Sequence, residues 1–145
     1  MLKFFGQFHP SIIHFPVALL MLGALAEFFY LLKPGQFLRN AVSFNLYLAA
    51  PSSILATALG WCLTATEGVT PELKATLYWH RWLGTGTAVL ALLLLVMWHF
   101  EFIKSKTGTR VFRLFLFSGA LLVAVTGHLG GQLVYGLDWY EWALK

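Results

Sequence analysis

Five histidines, His9, His14, His80, His99 and His128, are the side chains of this sequence best suited to chemistry. An imidazole can hold a transition metal or a haem iron through one ring nitrogen while the other hydrogen-bonds to the protein. Their neighbours point toward a flat occupant. Gly84 and Gly86 follow His80, and the run Gly127-His128-Leu129-Gly130-Gly131-Gln132-Leu133-Val134-Tyr135-Gly136 has four glycines in ten residues. Each glycine costs a helix about 1 kcal/mol relative to alanine, a cost offset where a macrocycle or another helix must approach closely. Gly127 and Gly131 also keep the interval of a helix-packing seam. The expected chemistry is haem b held by imidazoles from two helices, with His80 and His128 as first pair and His14 as substitute for either. One haem is expected, or two if His9 also binds. Arg81, beside His80, pairs with a propionate or snorkels to the interface. The expected cofactor set is therefore His80, His128, His14, His9, Arg81, Gly84, Gly127, Gly130 and Gly131.

Two other chemistries use the same chain. His14, His80 and His128 suit zinc or copper, with Glu67 and Glu72 available to complete the shell. The sequence lacks the H-x-x-x-H and H-E-x-x-H spacings that mark such sites on one helix. Alternatively the chain is a cofactor-free structural or transport bundle, in which Glu27 and Asn45 mark a polar path. Glu27 lies near a helix end, where it reaches water or pairs with Lys33.

These residues must be positioned by elements that suit lipid. The 145 residues are 59% hydrophobic and only 11% charged, too apolar for an ordinary soluble domain. Stretches 4–26, 40–66, 82–100 and 114–137 contain no Asp, Glu, Lys or Arg. Each supplies the roughly 20 apolar residues that cross a hydrocarbon core of about 30 Å. The sequence predicts one all-α transmembrane domain over 1–145, with helices near 11–32, 41–65, 75–102 and 110–135. Short connections make it an up-down-up-down four-helix bundle.

Lys33 and Arg39 fall between the first two spans, and Lys104, Lys106, Arg110 and Arg113 between the last two. The positive-inside rule puts both loops in the cytoplasm and both termini outside. The net charge of +4 then reports topology, and no nucleic-acid partner is expected. His9, His14, His80 and His128 fall in the outer half, His99 at the inner end. Trp61, Tyr78, Trp79, Trp82 and Tyr135 gather at the outer ends as an interfacial belt would, joined by the aromatic residues of 139–145, a segment that could also lie on the surface or dock a partner. Cys62 is the only cysteine, which excludes an intrachain disulfide and covalent haem attachment through C-x-x-C-H. No small-residue cleavage site follows Met1, so no removable signal peptide is expected. A faint repeat sets His14 against His80 and Ala58-Leu59-Gly60-Trp61 against Thr126-Gly127-His128, which would give a twofold along the membrane normal.

The opening His9-Pro10-x-x-x-His14-Phe15-Pro16, the run His80-Arg81-Trp82-Leu83-Gly84 and the close Gly127-His128-Leu129-Gly130-Gly131 resemble the DUF2231 family of predicted membrane proteins over nearly the whole chain. Relatives in that family are fused ahead of c-type cytochrome domains. The resemblance implies a redox role at the periplasmic face of a bacterial inner membrane. The expected function is electron transfer between a membrane quinone and an extracytoplasmic protein, a c-type cytochrome or dehydrogenase, by a cytochrome subunit rather than a stand-alone enzyme. Self-association is left open.

Overall fold

A computed structural model describes residues 1–138. Among them every regular element is helical. Two short helices, α1 (Leu2–Gly6) and α2 (His9–Ile12), lead into α3 (His14–Leu32), followed by α4 (Gln36–Thr66), α5 (Lys74–His99) and α6 (Lys106–Tyr135). Single 3-10 turns at Pro71–Leu73 and Phe102–Lys104 complete the connections. Segment 139–145, with its surface-lying or docking reading, lies outside the described residues.

Four helical stretches are long and apolar enough to cross a membrane: Leu2–Leu32, Gln36–Thr66, Pro71–His99 and Lys106–Tyr135. Each runs 29 to 31 residues, more than the hydrocarbon core demands, so their ends extend toward the headgroups or the helices tilt. Successive long helices pack together, and α6 returns to α3. This is the up-down-up-down ring that short connections favour.

The expected boundaries shift for local reasons. The first helix begins before residue 11, because Pro10 occupies the first turn of α2, where its missing N–H costs nothing. Gly35 precedes α4, which starts at Gln36 and so includes Arg39. At the other end of the chain Ser105 accepts a hydrogen bond from the Gly108 N–H at 2.9 Å and caps α6, starting it at Lys106. α5 stops at His99, and Glu101 takes a left-handed conformation at φ 57°.

Small residues sit at many helix contacts and many large ones face outward, although Phe112, Leu20, Leu46, Leu94 and Leu116 are fully buried. Gly23, Ala24, Ala49, Ala50, Ala91 and Gly119 are buried between helices, while Leu22, Phe28, Ile54, Leu55, Leu92 and Leu121 are exposed. In lipid there is no hydrophobic gain from hiding leucine, and close backbone approach holds helices together instead. Among the described residues the core has one charged exception. Glu27 is fully buried and accepts from Arg39 Nη1 at 3.1 Å and Arg113 Nε at 2.7 Å. It therefore pairs with these two arginines and not with Lys33 or water. The Arg39 guanidinium also lies between the rings of Tyr30 and Trp98, 4.8 and 4.7 Å from their centroids. Asn45, the other polar marker, donates to the Ala41 carbonyl within its own helix.

Candidate functional site

At the bundle end away from Glu27, the imidazoles of His9 and His80 face one another. Their centroids are 6.2 Å apart and their planes cross at 81°. His9 is presented by α2, and its Nδ1 lies 2.8 Å from the Ala56 carbonyl on α4. His80 is presented by α5, and its Nδ1 lies 2.9 Å from the Thr126 carbonyl on α6. A carbonyl only accepts, so in each ring Nδ1–H is the donor. Nε2 is left with no hydrogen-bond partner among the described residues.

Each ring rests on a glycine four residues beyond the carbonyl it bonds. A Cβ on Gly60 would fall 2.9 Å from Cε1 of His9, and one on Gly130 would fall 3.0 Å from Cε1 of His80. The two hairpins thus repeat one device: an imidazole on the first helix, a main-chain acceptor on the second, and a glycine seat one turn further on. The structure gives this repeat its register. His9 corresponds to His80, Ala56 to Thr126, and Leu59-Gly60 to Leu129-Gly130, whereas the sequence alone had set His14 against His80.

The rings border a cavity of about 200 Å³ between the helices. The same correspondence runs down its walls, pairing Ile13 with Gly84, Pro16 with Thr87, Ser53 with Val123 and Leu63 with Leu133. The cavity therefore lies on a pseudo-twofold axis. Thr57 Oγ1 donates to the Gly84 carbonyl at 3.4 Å and Trp61 Nε1 to Thr85 Oγ1 at 3.2 Å, closing the α4–α5 side. On the opposite side the rim residues Pro10, Gly127 and Val134 are exposed, which opens the cavity between α2 and α6. Its walls are almost wholly apolar, yet two of the lining residues, Ser53 and Arg81, each carry a buried polar atom, Ser53 Oγ and Arg81 Nε, with no partner among the described residues. Buried polar groups are nearly always hydrogen-bonded, so the pair suits an occupant that carries acceptors. The Arg81 guanidinium also lies 3.7 Å from the Trp61 ring centroid, stacked on the closed α4–α5 side of the cavity.

His80, His9, Arg81, Gly84, Gly127 and Gly130 all line this cavity; His14, His128 and Gly131 do not. His14 and His128 are exposed. Their register explains it. Two residues separate His128 from Thr126, about 200° around a helix, so a helix that turns Thr126 and Gly130 inward turns His128 outward. His14 follows His9 by five residues, about 140° around the axis. Gly84 is not a steric seat, since a Cβ there would meet Thr126 Cγ2 at an ordinary 3.6 Å. Among the described residues no three His, Cys, Asp or Glu side chains gather as metal ligands. Glu67 instead lies 3.9 Å from Lys3.

No curated protein and no solved structure matches the chain. A family model described as a predicted membrane protein, DUF2231, matches residues 7–139. That span takes in both imidazoles, both main-chain acceptors and both glycine seats, and the chain belongs to the DUF2231 family of predicted membrane proteins.

Proposed function

We propose that the protein binds one haem b between His9 and His80 and works as a membrane electron-transfer subunit, exchanging electrons between a membrane quinone and an extracytoplasmic redox protein. The facing imidazoles carry this reading. A metal–imidazole bond is about 2 Å long, so one metal between two Nε2 atoms, with half of each ring added, separates the centroids by about 6 Å; here they are 6.2 Å apart. Zinc takes three or four ligands from its protein, and two imidazoles fall short of that. The pair fits better a metal that brings its own equatorial ligands.

Bound there, the haem supplies a one-electron redox centre. The chain's own residues do the rest. The Ala56 and Thr126 carbonyls fix each ring's tautomer and direction. Gly60 and Gly130 let the rings sit back against the helices. Apolar walls exclude water, and Arg81 offers a charge to an acidic substituent. The site lies at one level of the bundle, which cannot alone carry electrons across the bilayer, so donor and acceptor are placed on the same side.

That side is the periplasmic face of a bacterial inner membrane, because the basic loops at the far end favour the cytoplasm. In a Cys62→Ser background, cysteine at Lys3 should label with an impermeant maleimide from outside, and cysteine at Lys104 should not; the reverse pattern would invert the topology. Expressed with adequate haem, the purified protein should give the reduced-minus-oxidised spectrum of a six-coordinate b-type cytochrome. His9→Ala and His80→Ala should each abolish six-coordination, while His14→Ala and His128→Ala keep it. A colourless wild type, or a spectrum that survives in both of the first two variants, rejects the proposal.

A further inference from the structure

The frame around the cavity is twofold, but its charge is not. On the first two turns of α5, Lys74, Leu77, Tyr78, Arg81 and Trp82 form one stripe, and with Trp61 of α4 they line a second, open niche, with Lys74, Tyr78 and Trp82 exposed. Arg81, Leu77 and Trp61 line both niche and cavity, so the two spaces share a wall. Among the described residues two cations and no carboxylate line the niche, and one of the two, Arg81, has a buried Nε without a partner there. The offset that maps His80 onto His9 maps Lys74 onto Lys3, Arg81 onto Pro10 and Trp82 onto Ser11. At Trp61 the counterpart, one residue past the histidine seat, is Gly131. Those equivalent positions carry no guanidinium or tryptophan, and Lys3 lies beside Glu67 at 3.9 Å.

We infer that the niche of Lys74, Arg81, Trp61, Tyr78 and Trp82 is the subsite for the carboxylates of the cavity's occupant, and that it fixes which edge of that occupant faces the second hairpin. The inference rests on the haem reading. Two imidazoles related by a pseudo-twofold axis cannot tell one edge of a planar group from the other. A pair of cations on one side can, because carboxylates gain charge-assisted hydrogen bonds there and none opposite.

The test compares haem with haem dimethyl ester, which keeps the iron and macrocycle and lacks the carboxylates. Both are titrated into the full-length apoprotein in detergent and followed by absorbance. Lys74→Gln and Arg81→Gln should each weaken haem binding about tenfold, the loss of one charge-assisted contact. The double variant should bind haem no better than wild type binds the ester. Ester affinity should be indifferent to these substitutions, and Lys3→Gln, the symmetry-related change, should leave haem affinity unchanged. The six-coordinate spectrum should persist in every variant, which separates loss of a positioning contact from misfolding. An ester that binds wild type as tightly as haem, or a Lys3→Gln loss equal to that of Lys74→Gln, overturns the niche alone. A wild type that takes up neither compound overturns the haem reading and the niche with it.

Discussion

Gly60 and Gly130 occupy the positions where a methyl group would strike an imidazole, at 2.9 and 3.0 Å from Cε1. Gly127 lines the same cavity with nothing within 4 Å of its would-be Cβ. The three glycines therefore separate a seat from a mere small residue. Overpacking of this kind costs about 1–3 kcal/mol, so Gly60→Ala and Gly130→Ala should each weaken haem binding on the order of 10- to 100-fold. Gly127→Ala should titrate like wild type, and equal losses in all three would remove the seat argument. Histidine and glycine enrichment at this end was legible in the sequence, including the place of His80 and Gly130. The partner was not. His9 reads as a residue just outside a helix, and only the recurring Leu59-Gly60 and Leu129-Gly130, each one turn past a hydrogen-bonded carbonyl, ties it to His80. That relation is written in tertiary hydrogen bonds, with no fixed local spacing to betray it.

At the level of elements, charge-free stretches mark the four spans well, because lipid penalises ionised side chains wherever they fall. Their ends were less legible, since capping by Ser105 and the left-handed turn at Glu101 are decided by one residue each. The N-terminal segment matters most to the site. α1 lies so close to α4 that a Cβ on Gly6 would meet Leu63 Cα and N at 2.6 Å. Backbone cannot yield as a flexible side chain would, so Gly6→Ala must lift α1 away, and with it the α2 turn that carries His9. Its haem spectrum should resemble that of His9→Ala, with a single imidazole ligand, while the helical content measured by circular dichroism stays near wild type. The exposed Lys3 and Glu67 pair crosses the same contact and contributes little. A six-coordinate Gly6→Ala protein would show that α1 does not position His9.

Across the whole molecule the two ends of the bundle are built oppositely. The cavity end leaves polar atoms unpaired and one side open, whereas the far end ties α3, α4 and α6 together through Glu27, Arg39 and Arg113. α5 joins that end through the Trp98 ring against Arg39 and through a 3.1 Å hydrogen bond between Tyr47 and His99. Sequence shows each of these residues near a helix end, but not that a carboxylate from α3 meets guanidinium groups from two other helices. With Glu27 fully buried and the arginine side chains only 21% and 26% exposed, removing the carboxylate strands two positive charges between helices. Breaking a buried ion pair from one side costs about 3–5 kcal/mol, whereas replacing the whole group by apolar side chains of similar volume is often neutral or stabilising. Glu27→Gln should therefore lower the thermal unfolding midpoint in detergent. Replacing Glu27, Arg39 and Arg113 together with Met should recover most of the loss. The haem affinity proposed for the opposite end should change little in either protein below its unfolding transition. A Glu27→Gln protein that melts with wild type would mean that packing alone holds this end closed.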